Sequence, residues 1–253
     1  MSFTDILMKS HALIGMLALP VFWAAALSRK GGPLHLFCGK TFIWCAYLAA
    51  ASGMARCVHV LIDPWAAMQP PGGADDQTRQ ALAMNVRTIY IFLAYLAVIT
   101  VAMAWHGVQV IRTRREPQRM KTALNVALNV LSVLLGVAMI PLGLLTGKLL
   151  LAFMSPIGIG VGCGQLRYIL ARTHPHMEWW FEHLGSMVGC GISMHTAFLV
   201  FGLNRIISIP LQGTWTIIPW LAPTLAGMPA IYLWSRYYRK KFEQPSPETA
   251  LFS

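Results

Sequence analysis

Four residues of one apolar stretch, Ser52, Arg56, His59 and Asp63, are spaced four, three and four apart, which puts them on a single helix face. A bare arginine in hydrocarbon costs about 3 kcal/mol or more, so Arg56 must meet protein, water or an anionic group. Asp63 is placed to reach back over His59 and neutralise it. The structural alternative is an arginine that snorkels to the surface on its long stem.

Six histidines fall within or at the ends of apolar stretches, and alternating the direction of successive stretches sorts them by depth. His11, His59 and His195 go to one side; His35, His106 and His183 go to the other. His183 and His195 share a stretch and lie about 18 Å apart along it at 1.5 Å per residue. Two layers of imidazoles are what a transmembrane electron carrier with two b-type haems needs, because each iron takes one neutral imidazole from each of two facing helices. Arg56 is then available to a haem propionate. Taken singly, each histidine also reads as a hydrogen-bonded residue between helices.

A second pattern overlaps the first. His183, Met187, Cys190 and Met194 repeat at four, three and four, a stripe of soft ligands of the kind that selects Cu(I), or a packing face in a chain of 14 methionines. His174, His176, Glu178, Glu182 and His183 crowd the start of the same stretch, where a wet loop explains them without a metal. Gly158, Gly160, Gly162 and Gly164 follow no strand and read as small residues for close helix approach, with Gly185 and Gly189 as the expected partner surface. Asn125 and Asn129, one turn apart, are expected to hydrogen-bond a neighbouring helix. The five cysteines form no CxxC pair, haem-attachment motif or disulfide framework.

All these residues sit on seven apolar stretches, each near the roughly 20 residues that a tilted membrane helix needs. They are 6–27, 41–62, 88–111, 126–146, 149–170, 179–203 and 214–234. With 253 residues, 56% hydrophobic and 11% charged, the stretches consume most of the chain. The expected fold class is therefore all-α, a seven-span transmembrane bundle over residues 1–241 with a short disordered tail at 242–253. The net charge of +11 belongs to the loops, so nucleic-acid binding is excluded as its explanation. Fourteen of the basic residues, among them Arg29, Lys30, Arg114, Arg115, Arg239 and Lys240, fall on one side, against five on the other. The positive-inside rule then puts the amino terminus outside and the carboxyl terminus in the cytoplasm of a bacterial inner membrane. Arg29 and Lys30 follow the first stretch rather than precede it, which argues for a retained span over a cleaved signal peptide. Pro70, Pro71, Gly72 and Gly73 break the longest outer loop, and Asp75 and Asp76 are caps for a third helix that starts near Gln77, before the membrane.

The opening His11-Ala-Leu-Ile-Gly15, followed by Lys30-Gly31-Gly32-Pro-Leu-His35 and Gly39-Lys40-Thr-Phe42, resembles a family of uncharacterised bacterial integral membrane proteins. His183-Leu-Gly-Ser-Met187 and His195-Thr-Ala-Phe198 are similar to a later signature of its longer members. Where that family has His-Arg in the turn, this chain has His35-Leu36. The resemblance implies a polytopic membrane fold and no particular activity. The placing of His11, His35 and His59 is also similar to two-haem cytochromes b of the ascorbate-reducing type, which implies haem b and electron transfer. Haem-linked or quinone-linked electron transfer, with a quinone or redox protein as partner, is the leading expectation. A channel or carrier for a small solute or copper is the alternative, and an accessory subunit of a membrane complex is the third reading.

Overall fold

Lipid offers backbone amides no partners, so each apolar stretch is driven to satisfy its own by forming a helix. A computed structural model describes residues 3–68, 72–73, 75–203 and 217–243; among these the regular structure is helical, with no strand. The long helices are α1 (Phe3–Leu27), α2 (Pro33–Ile62), α3 (Asp76–Arg112), α4 (Ala123–Leu145), α5 (Leu149–Leu170), α6 (Glu178–Ala197) and α7 (Ile218–Glu243). Six apolar segments are long enough to cross a bilayer: Asp5–Leu27, α2, α3, α4, α5 and Glu178–Gly202, the last continuing α6 through a π turn at Phe198–Gly202. The chain is thus built as a multi-pass membrane protein.

The predicted seventh stretch begins at Thr214, outside the described residues, as do Arg205 and most of the expected tail. What is described, α7, runs past Trp234 to Glu243, and Phe242 packs edge-on against Trp180 at 5.5 Å. Helix α3 opens at Asp76, one residue before the predicted Gln77, with the Asp75 carboxylate accepting from Thr78 N at 2.9 Å. Hydrogen bonds from the Thr78 side chain and backbone hold the Asp75 carboxyl below its ordinary range. With 37 residues α3 is about 55 Å long, so it stands clear of a 30 Å hydrocarbon core.

Helix α3 is the hub. It packs against α2, α4, α5 and α6, while α1 closes a four-helix square by meeting α2 and α6. Phe22, Phe42, Cys45, Met103, Cys190 and Met194 fill that square. Helices α4 and α5 form the tightest pair, docked on the far side of α3, and α7 leans on α6.

One side chain stitches the hub to the hairpin. Tyr95 of α3 is 1% exposed, and its hydroxyl sits inside the hydrogen-bond ladder of α5 beside Pro156. It points at the carbonyls of Met154 (3.0 Å) and Ser155 (3.1 Å) and accepts from Gly158 N (2.9 Å). A Cβ on Gly158 would come within 2.6 Å of the Tyr95 ring, so glycine is what lets the hydroxyl enter.

The glycines of α5 divide by face. A Cβ at Gly162 would lie 2.6 Å from the Asn129 carbonyl of α4, and one at Gly136 would lie 3.0 Å from the Ser155 carbonyl of α5. Gly160 and Gly164 face open space. The partner of this small-residue surface is therefore α4 together with Tyr95, and the expected match to Gly185 and Gly189 is corrected: Gly185 meets nothing, and Gly189 faces Met103 of α3. Overpacking a helix seam costs about 1–3 kcal/mol. Gly162→Ala and Gly136→Ala should each lower the melting temperature of the detergent-solubilised protein, while Gly160→Ala leaves it unchanged; equal effects at all three positions would contradict the division.

Candidate functional site

The turn between α1 and α2 is fixed by its glycines. Gly31 has φ +76°, and a Cβ on Gly32 would sit 3.1 Å from the Arg29 carbonyl that the Gly32 amide bonds at 3.0 Å. This reversal delivers His35 on the first turn of α2, where its Nδ1–H donates to the Ala25 carbonyl of α1 at 2.9 Å. Across the square, His183 of α6 donates Nδ1–H to the Gly107 carbonyl of α3, also at 2.9 Å. The two rings are electrostatic neighbours, and Lys30 acts on the same ring of His183. Lys30 is half-buried: its ammonium donates to the Ala26 carbonyl, lies 5.6 Å from the Trp234 ring and is pushed below its ordinary pKa by burial.

A donor to a carbonyl must carry the proton, so in the neutral form both rings hold theirs on Nδ1 and keep a lone pair on Nε2. That backbone tether is the supporting contact that metal-binding imidazoles use.

His106, the residue before Gly107, is 1% exposed and bonds Glu182 Oε2 through Nε2 at 3.2 Å. Tyr168 of α5 lies edge-on to the His106 ring at 5.6 Å, and His174 stacks on Tyr168 at 4.2 Å. Arg239 pairs with Glu178 at 3.5 Å and covers Phe181, tying α7 to the same end. His35, His106 and His183 are therefore assembled in one layer at the basic end. A cleft of about 250 Å3 opens beside it, lined by Arg114, Tyr168, His174, His176 and Trp179.

His11, His59 and His195 are dispersed. His195 donates Nδ1–H to the Gly191 carbonyl at 2.7 Å and accepts from Trp23 Nε1 at 3.0 Å, so both nitrogens are occupied. His11 bonds Ser52 at 2.9 Å, and His59 is exposed beside Arg56 at 3.4 Å. Trp23 lies 12 residues from His11 on α1, about 18 Å, and Ser52 lies seven residues before His59 on α2, about 10 Å. His11, His59 and His195 thus occupy three levels rather than one layer.

Arg56 does not pair with Asp63. Helix α2 ends at Ile62 and Asp63 is extended (φ −120°, ψ 94°), so its carboxylate turns forward to cap Trp65 N at 3.0 Å. The guanidinium of Arg56 donates instead to the Ala66 carbonyl at 2.6 Å. An extended residue after a helix end was not legible from the four-residue spacing.

The soft-ligand stripe runs about 16 Å along α6. Cys190, fully buried, and Met194 lie in the apolar core, while Met187 covers Gly107 and His183 is tied to the backbone. Among the described residues no group of three or more His, Cys, Asp or Glu is placed to hold a metal ion. Asn125 bridges helices as expected, accepting from Trp105 Nε1 of α3 at 2.6 Å. Trp23 and Tyr168 have no counterpart among the residues singled out from sequence, because aromatic residues are common in membrane spans; their partners, His195 and His106, were the signal. No family model, curated protein or solved structure matches this chain.

Because asparagine caps as well as aspartate does, Asp63→Asn should change stability by less than about 0.5 kcal/mol. Loss of about 3–5 kcal/mol, the scale of a broken buried ion pair, would reinstate the Arg56–Asp63 bond.

Proposed function

We propose that this chain is a seven-span protein of a bacterial inner membrane, amino terminus outside and carboxyl terminus cytoplasmic, that holds a b-type haem between His35 and His183 and passes electrons to or from a quinone or redox protein. The observation that carries this reading is the matched pair of rings on α2 and α6, each with Nδ1–H committed to a carbonyl and a lone pair left on Nε2. The asymmetric end charges support the orientation. A bound haem would supply a one-electron couple. His35 and His183 would hold the group through Nε2 with their tautomers fixed by the backbone, the Lys30 ammonium would offer a cation to a propionate, and Trp180 and Phe181 would help to exclude water. Arg56 is at the opposite end of α2 and takes no part in this site. The three levels of the outer histidines support one haem rather than two.

Protein purified after expression with ample haem should show a Soret band and a sharp reduced-state α band. His35→Ala and His183→Ala should each lower the haem content by roughly tenfold or more, the scale on which metal sites lose affinity when contacts are removed. His59→Ala should leave it unchanged. A colourless protein, or a spectrum indifferent to both inner histidines, refutes the proposal.

A further inference from the structure

Five side chains bury a polar atom that has no hydrogen-bond partner among the described residues; Tyr47 and Arg56 lie on α2, and the other three stand on adjoining helices, His106 Nδ1 on α3, Asn129 Oδ1 on α4 and Gln165 Oε1 on α5. These last three are 1%, 2% and 5% exposed. The positions converge. Gln165 is one turn before Tyr168, whose ring meets His106, and the Asn129 carbonyl faces Gly162, three residues before Gln165. Trp105, next to His106, bonds Asn125, and Asn125 accepts from Asn129 Nδ2 at 2.8 Å.

With His106 neutral, these three atoms on α3, α4 and α5 are all acceptors. In the neutral form His106 donates through Nε2 to Glu182 and keeps a lone pair on Nδ1, and Asn129 has already spent an amide hydrogen on Asn125. Acceptors cannot satisfy one another, so the missing partner must bring hydrogens. Water is the species that does so in protein interiors, typically making about three hydrogen bonds to such groups. A source of water is adjacent, because Tyr168 stands between His106 and the cleft at the basic end.

We propose that water enters from this cleft past Tyr168 and fills a recess between α3, α4 and α5, donating to Asn129, Gln165 and His106. The recess gives the His106–Glu182 pair a hydrated connection to the basic side of the membrane. It leaves the outer half of the bundle dry, where Met139 and Met154 are packed in the apolar core. This inference stands on the unpartnered acceptors and is independent of the haem reading.

Radiolytic hydroxyl-radical footprinting of the purified wild-type protein, read by peptide mass spectrometry, tests it without any variant. Radicals form where water is, so His106 should be oxidised at least about tenfold faster than Met139 although the two are equally buried and methionine is the more reactive side chain. Gln165→Leu, which removes one acceptor, should lower the rate at His106. Protection of His106 equal to that of Met139 in the wild-type protein overturns the proposal on its own.

Discussion

Inside hydrocarbon no polar atom has a solvent to fall back on, and this constraint organises the whole bundle. Its clearest product is Tyr95, whose hydroxyl serves α5 at Met154 and Gly158 while its ring fills the space that a larger residue at 158 would take. An orphaned donor or acceptor at that depth costs about 1–3 kcal/mol, so the hydroxyl and the glycine hold each other in place. The same requirement ties His35 to Ala25, His183 to Gly107 and His195 to Gly191. Each bond joins or steadies helices, and each also decides which ring nitrogen keeps its lone pair. Structure and chemistry are set by one hydrogen bond per histidine.

The two ends of the bundle differ for a related reason. At the basic end the loops are drawn together by aromatic and charged contacts, with Arg114 over Trp179 at 5.3 Å, Gln118 bonding the Arg172 carbonyl at 3.0 Å and Arg239 bridging to Glu178. That closure gathers His35, His106 and His183 and leaves a cleft beside them. At the other end α3 overhangs α2, and Arg87 reaches the Leu61 carbonyl at 3.1 Å. His11 and His59 find separate neighbours there, Ser52 and Arg56.

Much of this was legible in the sequence because hydrophobic length and charge placement act locally. Six of the expected stretches are apolar membrane-length helices, the Asp75 cap starts α3 within a residue of its expected position, and the Lys30-Gly31-Gly32 turn makes the reversal its glycines suggest. The grouping of His35, His106 and His183 at the basic end was also readable, since position along a helix follows from counting residues. Which helix faces which was not. The glycines of α5 turned to α4 and Tyr95 rather than to Gly185 and Gly189, because the short Thr146–Lys148 connection makes α4 the nearest surface. His11, His59 and His195 do not share a level, because the residue that meets His195 is Trp23, close to the basic end of α1. Asp63 was misassigned because helical spacing was carried one residue past the helix end.

Backbone tethers hold the neutral rings of His35 and His183 with the proton on Nδ1 and a lone pair on Nε2. Nitrogen-15 NMR of the histidine-labelled, haem-free protein reads this directly, with His35→Gln and His183→Gln spectra giving the assignments. Both rings are expected as the neutral Nδ1–H tautomer with an unprotonated Nε2. The Nε2–H tautomer at either position would contradict the account.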